Sequence, residues 1–224
     1  MGRRTYYDLI ASLPGLPIRF DVERPPISGL RLMERLQILD ADDAAVVEQW
    51  TNFVGWDRQV LEQTDEDISL SYQRLIGEIS NATLLELIQR RMDTRTIIAA
   101  VRRRRAGMSP PTGVGQWVDK IRRDYQHPQF QLQTLYPWIG RFDQLLSEGQ
   151  ALEAQRIIFE FNYRELEELA PNDMFSFEAL LIYLARWEII DRWTSLDEAA
   201  GKTRFETMIR ETLGEHAHLF EPTE

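Results

Sequence analysis

Catalysis needs reactive side chains that converge, and this chain supplies few. None of its 224 residues is cysteine, which removes disulfides, thiolate nucleophiles and Cys-ligated zinc or iron–sulfur centres. Nucleophilic chemistry would fall to a serine or threonine with a histidine base, and the histidines are His127, His216 and His218. His127 precedes a proline in an irregular stretch, and His216 and His218 form a pair near a terminus for which metal binding is open but unsupported. All three read as surface residues. Asp65-Glu66-Asp67 lacks the alternating oxygen ligands and pivotal glycine of a calcium loop and reads as a solvated helix start. Gly113-Val114-Gly115 matches half of a dinucleotide fingerprint, but Val118 follows, no strand precedes it and no Gly-Lys-Ser or Gly-Lys-Thr occurs. A hydrolase using paired acids would need two carboxylates in one cleft, which spacing along a chain does not establish. The expectation is a protein that is not an enzyme and needs neither cofactor nor metal.

Arginine is where the composition departs from the average. Of 26 basic residues only Lys120 and Lys202 are lysines. Seven arginines, Arg90, Arg91, Arg95, Arg102, Arg103, Arg104 and Arg105, share one stretch with a single acid, Asp93. That density on one helix repels itself unless counter-charge is supplied. The planar guanidinium suits carboxylates and phosphates, so the helix is expected to grip the acidic stretch 40–67 of the same chain, with its nine acids and one arginine, or an acidic protein partner. Nucleic acid fits poorly: the formal net charge is -10, and no aromatics interleave with these arginines. The same sign disfavours general attraction to anionic membranes, a local basic patch aside. Six tryptophans could serve as interface anchors, but most are expected in the core, with Trp117 and Trp138, flanking the least regular region, the candidates for exposure.

The elements that must position these residues read as helices throughout. Tyr6, Leu9, Ile10 and Leu13 recur at i, i+3, i+4, i+7 before Pro14-Gly15 stops them. Pro14, Pro17, Pro25 and Pro26 then impose an extended strap over 14–27. Ser28 caps a helix burying Leu32, Leu36 and Leu39, and acids at Asp40, Asp42 and Asp43 open the next. Residues 56–79 read as helix. Thr83 and Glu86 have capping-box spacing at the head of the arginine helix, which Gly107, Pro110 and Pro111 end. A short helix follows at 117–124 and another starts from Pro137. The broad apolar surface of 150–170 predicts a central helix, with a neighbour from Ser176. Ser195 and Glu198 predict the cap of a separate last helix carrying Phe205, Met208, Ile209 and Leu213. No alternating β pattern competes. The longest apolar run, Ala179–Ala185, is far short of the roughly 20 residues that cross a bilayer, and because Asp8 with Tyr6 and Tyr7 interrupts what would be the apolar core of an export signal, none is expected.

The expected fold class is therefore all-α, a compact multi-helix bundle. A helical part with the arginine helix (1–106), a linker rich in glycine and proline (107–115) and an acidic helical part (116–224) are the expected domains. Charge follows this division: 1–106 nets -1 and 107–224 nets -9.

Two segments resemble known families. Met92-Asp-Thr-Arg-Thr-Ile-Ile-Ala-Ala-Val-Arg-Arg-Arg-Arg-Ala-Gly107 resembles the basic helix of the funnel-shaped central-stalk connector, designated C or d, of V-type and A-type rotary ATPases. Tyr6-Tyr-Asp-Leu-Ile-Ala-Ser-Leu-Pro14 and Phe175–Trp193, with Gly201, are similar to uncharacterised bacterial proteins encoded beside V-type ATPase subunits, in the place of that connector. The resemblance implies two helical halves related to the connector's funnel. It further implies a non-catalytic central-stalk protein, working in ion or proton transport, whose partners are the rotor shaft and membrane-ring subunits. Such a protein is cytoplasmic, peripheral to the inner membrane through the complex, with no membrane insertion and no nucleic-acid partner. Arg90, Arg95, Arg102, Arg103, Arg104 and Arg105 are then the expected partner contacts. The other reading is a helical regulatory or scaffold protein that binds an unrelated acidic partner. The funnel-shaped connector proper, at well over 300 residues, is longer than this chain.

Overall fold

A computed structural model of the chain describes residues 6–59 and 65–216. The side chains of Trp56, Asp65, Glu66, Asp67 and Glu198, and those of the stripe from Phe205 to Leu213 with His216, lie outside the described residues, as does His218. Within that range the chain is all-α: α1 (Tyr7–Ser12), α2 (Gly29–Leu36), α3 (Ala41–Gln59), α4 (Asp65–Glu78), α5 (Ala82–Arg105), α6 (Val118–Arg123), α7 (Ile139–Ser147), α8 (Ala151–Glu168) and α9 (Phe177–His216).

Helix ends follow local chemistry, though not always at the expected residue. Ser28 caps α2 by accepting from the Arg31 amide at 3.4 Å. The cap of α5 is Asn81, whose Oδ1 accepts from Leu84 N at 2.9 Å, not Thr83, and Glu86 turns to Arg90 instead. Gly107, at φ +68°, closes α5 with Gly107 N donating to Arg104 O and Met108 N to Arg103 O, a Schellman arrangement that needs the left-handed backbone there. Ser195 starts no new helix. Its hydroxyl donates to Asp191 O one turn back, and α9 runs through it unbroken.

Two helices are central: α5 runs through the two larger cores, and α8 is covered on two sides, by α7 and α9. Leu84, Leu87, Ile88 and Met92 of α5 pack with α1, α2, α3 and the first half of α9. One or two turns later Ile97, Ala100 and Val101 pack with α6, α7, α8 and the 130–138 turns. The helix richest in arginine therefore carries residues at 0% exposure through both cores. On α8 Leu152 is exposed, and Ala154, Ile158, Phe159 and Tyr163 are buried. A third cluster holds the strap in place: Phe20 packs on Phe159, Tyr163 and Trp193. Strap carbonyls are satisfied from below, Pro17 O by the Tyr163 hydroxyl, Pro14 O by that of Tyr183, and Ile27 O by Trp187 Nε1.

The stretch 107–115 is sewn to α5. Val114 is buried in the first core, and its amide and carbonyl both bond the Thr96 hydroxyl, at 3.1 and 2.6 Å. Residues from both sides of this stretch share that core, since Leu84 and Leu180 belong to the same cluster.

Candidate interaction site

Because α5 lies at the centre, its arginines leave it in two directions. One group meets protein at the C-terminal end. The Arg103 Nε donates to Ser109 O at 2.8 Å. Arg104 donates to His127 O at 2.6 Å and Pro128 O at 2.7 Å, and its guanidinium lies 4.6 Å from the Phe130 ring centroid. Arg105 donates to both the carbonyl and Oδ1 of Asp143 at 3.0 Å. These three act as clamps on the 108–109 turn, the 127–130 turns and α7.

The second group faces an elongated cleft of about 1000 Å³ between α5, α8 and α9. Arg91, Arg95 and Arg102 fall at i, i+4 and i+11, a single stripe of the helix, and Arg192 enters from α9. Arg90 is shared by Glu86 and Glu165, with its Nη1 3.0 Å from Glu165. Arg91 forms a fork with Glu188 at 2.6 and 3.2 Å, the carboxylate only 4% exposed. Arg95 is half-buried and engaged, whereas Arg102 is exposed at the cleft's far end. Ile158, Phe159 and Ile189 supply the apolar part of the lining. Such a lining is chemically suited to carboxylates or phosphates beside apolar groups.

The six arginines singled out from the sequence are thus not one surface: Arg90, Arg95 and Arg102 line the cleft, while Arg103, Arg104 and Arg105 hold the fold. Counter-charge comes from Glu86, Asp143, Glu165 and Glu188 in the pairs described, three of them in the C-terminal half. Trp138 is buried, edge-on to Phe142 and Tyr136, so it is core rather than anchor. Trp117 is half-buried on the cleft wall.

What residue spacing did not single out is the latch beneath that wall. Asp93, 1% exposed, accepts from Gln116 N at 2.8 Å and Gln116 Nε2 at 2.9 Å. Burial pushes its carboxyl above the ordinary value, against the lowering effect of the Gln116 and Trp117 donors. A Cβ on Gly115 (φ +117°) would stand 2.1 Å from Asp93 Oδ1, and one on Gly113 would stand 2.7 Å from Thr96 Cγ2. The two glycines that suggested half a nucleotide fingerprint permit this close approach of backbone to helix. A glycine pair with no strand before it and valine at 118 was the available signal. Tyr136, on the same wall, is pushed up to about 12 mainly by burial.

Among the described residues no group of three or more His, Cys, Asp or Glu is arranged to hold a metal ion, and no helix is long and apolar enough to cross a membrane. The class this defines is an all-helical protein with an arginine-walled cleft. Residues 57–215 match the model of a family described as "Protein of unknown function (DUF2764)", and the chain belongs to that family. No curated protein and no solved structure matches it.

Proposed function

We propose that this chain is a non-catalytic connector in the central stalk of a V-type or A-type rotary ATPase, coupling rotor shaft to membrane ring, with the α5–α8–α9 cleft docking an acidic surface of a neighbouring protein in the complex. The observation that carries the reading is where the resembling segments lie. Tyr6–Pro14 and Phe175–Trp193 are far apart in sequence but form one seam: Tyr6 N donates to Phe175 O at 2.8 Å, and the Tyr7 and Phe175 rings stack at 3.7 Å. The segment resembling the basic helix of the funnel-shaped connector is α5, which provides the cleft's arginine stripe. A coupler needs stiffness, and the centre-spanning α5 with bonded loops at its end supplies it.

Affinity purification of the tagged chain from its native cells tests this. Rotary ATPase subunits should co-purify, and an Arg95→Gln/Arg102→Gln variant should recover markedly less of them, more so at high salt. Recovery of an acidic partner with no rotary ATPase protein among the captured ones would favour the scaffold reading, which the same arginine stripe accommodates. A turnover activity abolished by one substitution in the cleft would overturn both.

A further inference from the structure

The C-terminal end of α5 gathers cations from three helices. Arg102, Arg103, Arg104 and Arg105 end α5. Arg122 of α6 is tied there through Thr112 O at 2.7 Å, with Lys120 and Arg123 on the same helix. Arg141 precedes the Asp143 that Arg104 and Arg105 hold. Eight cations meet four carboxylates, Asp119, Asp124, Asp143 and Glu148, a local net of +4 in a chain of net charge -10. The rest of the molecule therefore nets -14. Asp124 is spent on Lys120 at 3.1 Å and Arg123 at 3.5 Å. Even so, the Arg123 side chain is 70% exposed and that of Arg141 53%, its pair with Glu148 stretched to 4.0 Å. Bonded to Arg103 is the turn Ala106–Ser109, exposed at every residue, which presents Met108 at 50% exposure. The Tyr125 hydroxyl pins it by donating to Met108 O at 3.1 Å.

We propose that this end settles on an anionic phospholipid surface, the exposed guanidinium groups of Arg123 and Arg141 meeting headgroup phosphates and Met108 reaching into the headgroup layer. Three observations favour lipid over a protein partner. Met108 is the one large apolar side chain exposed on 102–128 among the described residues, too little for the apolar centre of a stable protein interface of about 800 Å² per side. Headgroup contact requires only a cation cluster and a shallow apolar side chain. The opposite charge of the remaining molecule would orient this end towards an anionic plane and hold the acidic bulk away. Lipid contact of this kind depends on charge and exposure alone, and it stands or falls separately from the rotary-ATPase reading.

The test is co-sedimentation of the purified full chain with vesicles. Binding is expected to mixed phosphatidylglycerol–phosphatidylcholine vesicles at low salt, to fade as salt is raised, and to be absent on pure phosphatidylcholine. An Arg123→Gln/Arg141→Gln variant should lose about tenfold in partitioning, and Met108→Gln about threefold. Neither arginine holds a loop carbonyl, so the double variant should melt with the wild type. If it does not, Arg123→Gln alone carries the comparison, with a loss of about threefold. Absent binding, equal binding to neutral vesicles, or unchanged binding by a folded variant overturns the proposal. So does capture of an acidic protein through these arginines by a chain that ignores vesicles.

Discussion

Asp93 shows how one side chain can look like a minority charge and act as a joint. It was the lone acid among seven arginines, and its carboxylate accepts from the loop that walls the cleft. Because burial raises its folded-state value above that of the unfolded chain, the folded state holds the proton more tightly. The Asp93 contribution to stability is therefore full below the unfolded value and is lost as pH rises through the folded one. Asp93→Asn keeps an acceptor for Gln116 N and cannot ionise. Relative to the wild type, it should gain stability as pH rises across that window, read by urea unfolding in a pH series. A difference that stays flat or runs the other way would remove the buried-charge account. Gly115→Ala meets the same carboxylate from the loop side and combines a left-handed backbone with a 2.1 Å clash. We expect it to destabilise by about 2–4 kcal/mol in the same assay.

At the scale of elements, α5 separates two jobs that its sequence blends. Its arginines all look alike in a row, yet a helix turns about 100° per residue, so Arg102 and Arg104 face different surroundings. Arg104 satisfies two carbonyls and covers Phe130. Arg104→Gln should lower stability by about 2–3 kcal/mol, whereas Arg102→Gln should fall within about 0.5 kcal/mol of wild type. Thermal melts of the two single variants decide it, and equal shifts would refute the division into clamp and cleft. The periodicity gave α1, α2, the strap and α5 nearly at their observed limits. It missed the continuity of α9 because Ser195 and Glu198 have the spacing of a cap, and only the surrounding backbone decides whether a serine caps or bonds back one turn.

On the scale of the whole molecule, α5 and α9 are joined by the Arg91–Glu188 fork, where a 4%-exposed carboxylate lies against an arginine from 97 residues earlier. Removing one partner takes a short, largely buried ionic fork away from the other. Glu188→Gln should destabilise by about 3 kcal/mol, while Arg91→Met/Glu188→Leu should recover much of the loss. A double-mutant cycle by denaturant unfolding measures this, and a double variant weaker than the sum of the singles would count against it. The amino-acid sequence by itself determined the all-α class, the absence of thiol chemistry and the presence of an arginine-dense helix, because these follow from composition and from apolar spacing along one chain. It also placed the punctuation at Ser28 and Gly107, where the local backbone alone sets the requirement. Only the tertiary structure decided that α5 runs through two cores, which arginines clamp and which face the cleft, and that 107–115 is bonded down. Those properties depend on partners such as Asp143, Glu165 and Glu188, dozens of residues away, and the burial that makes Asp93 a latch comes into being only when the 114–117 segment folds over α5.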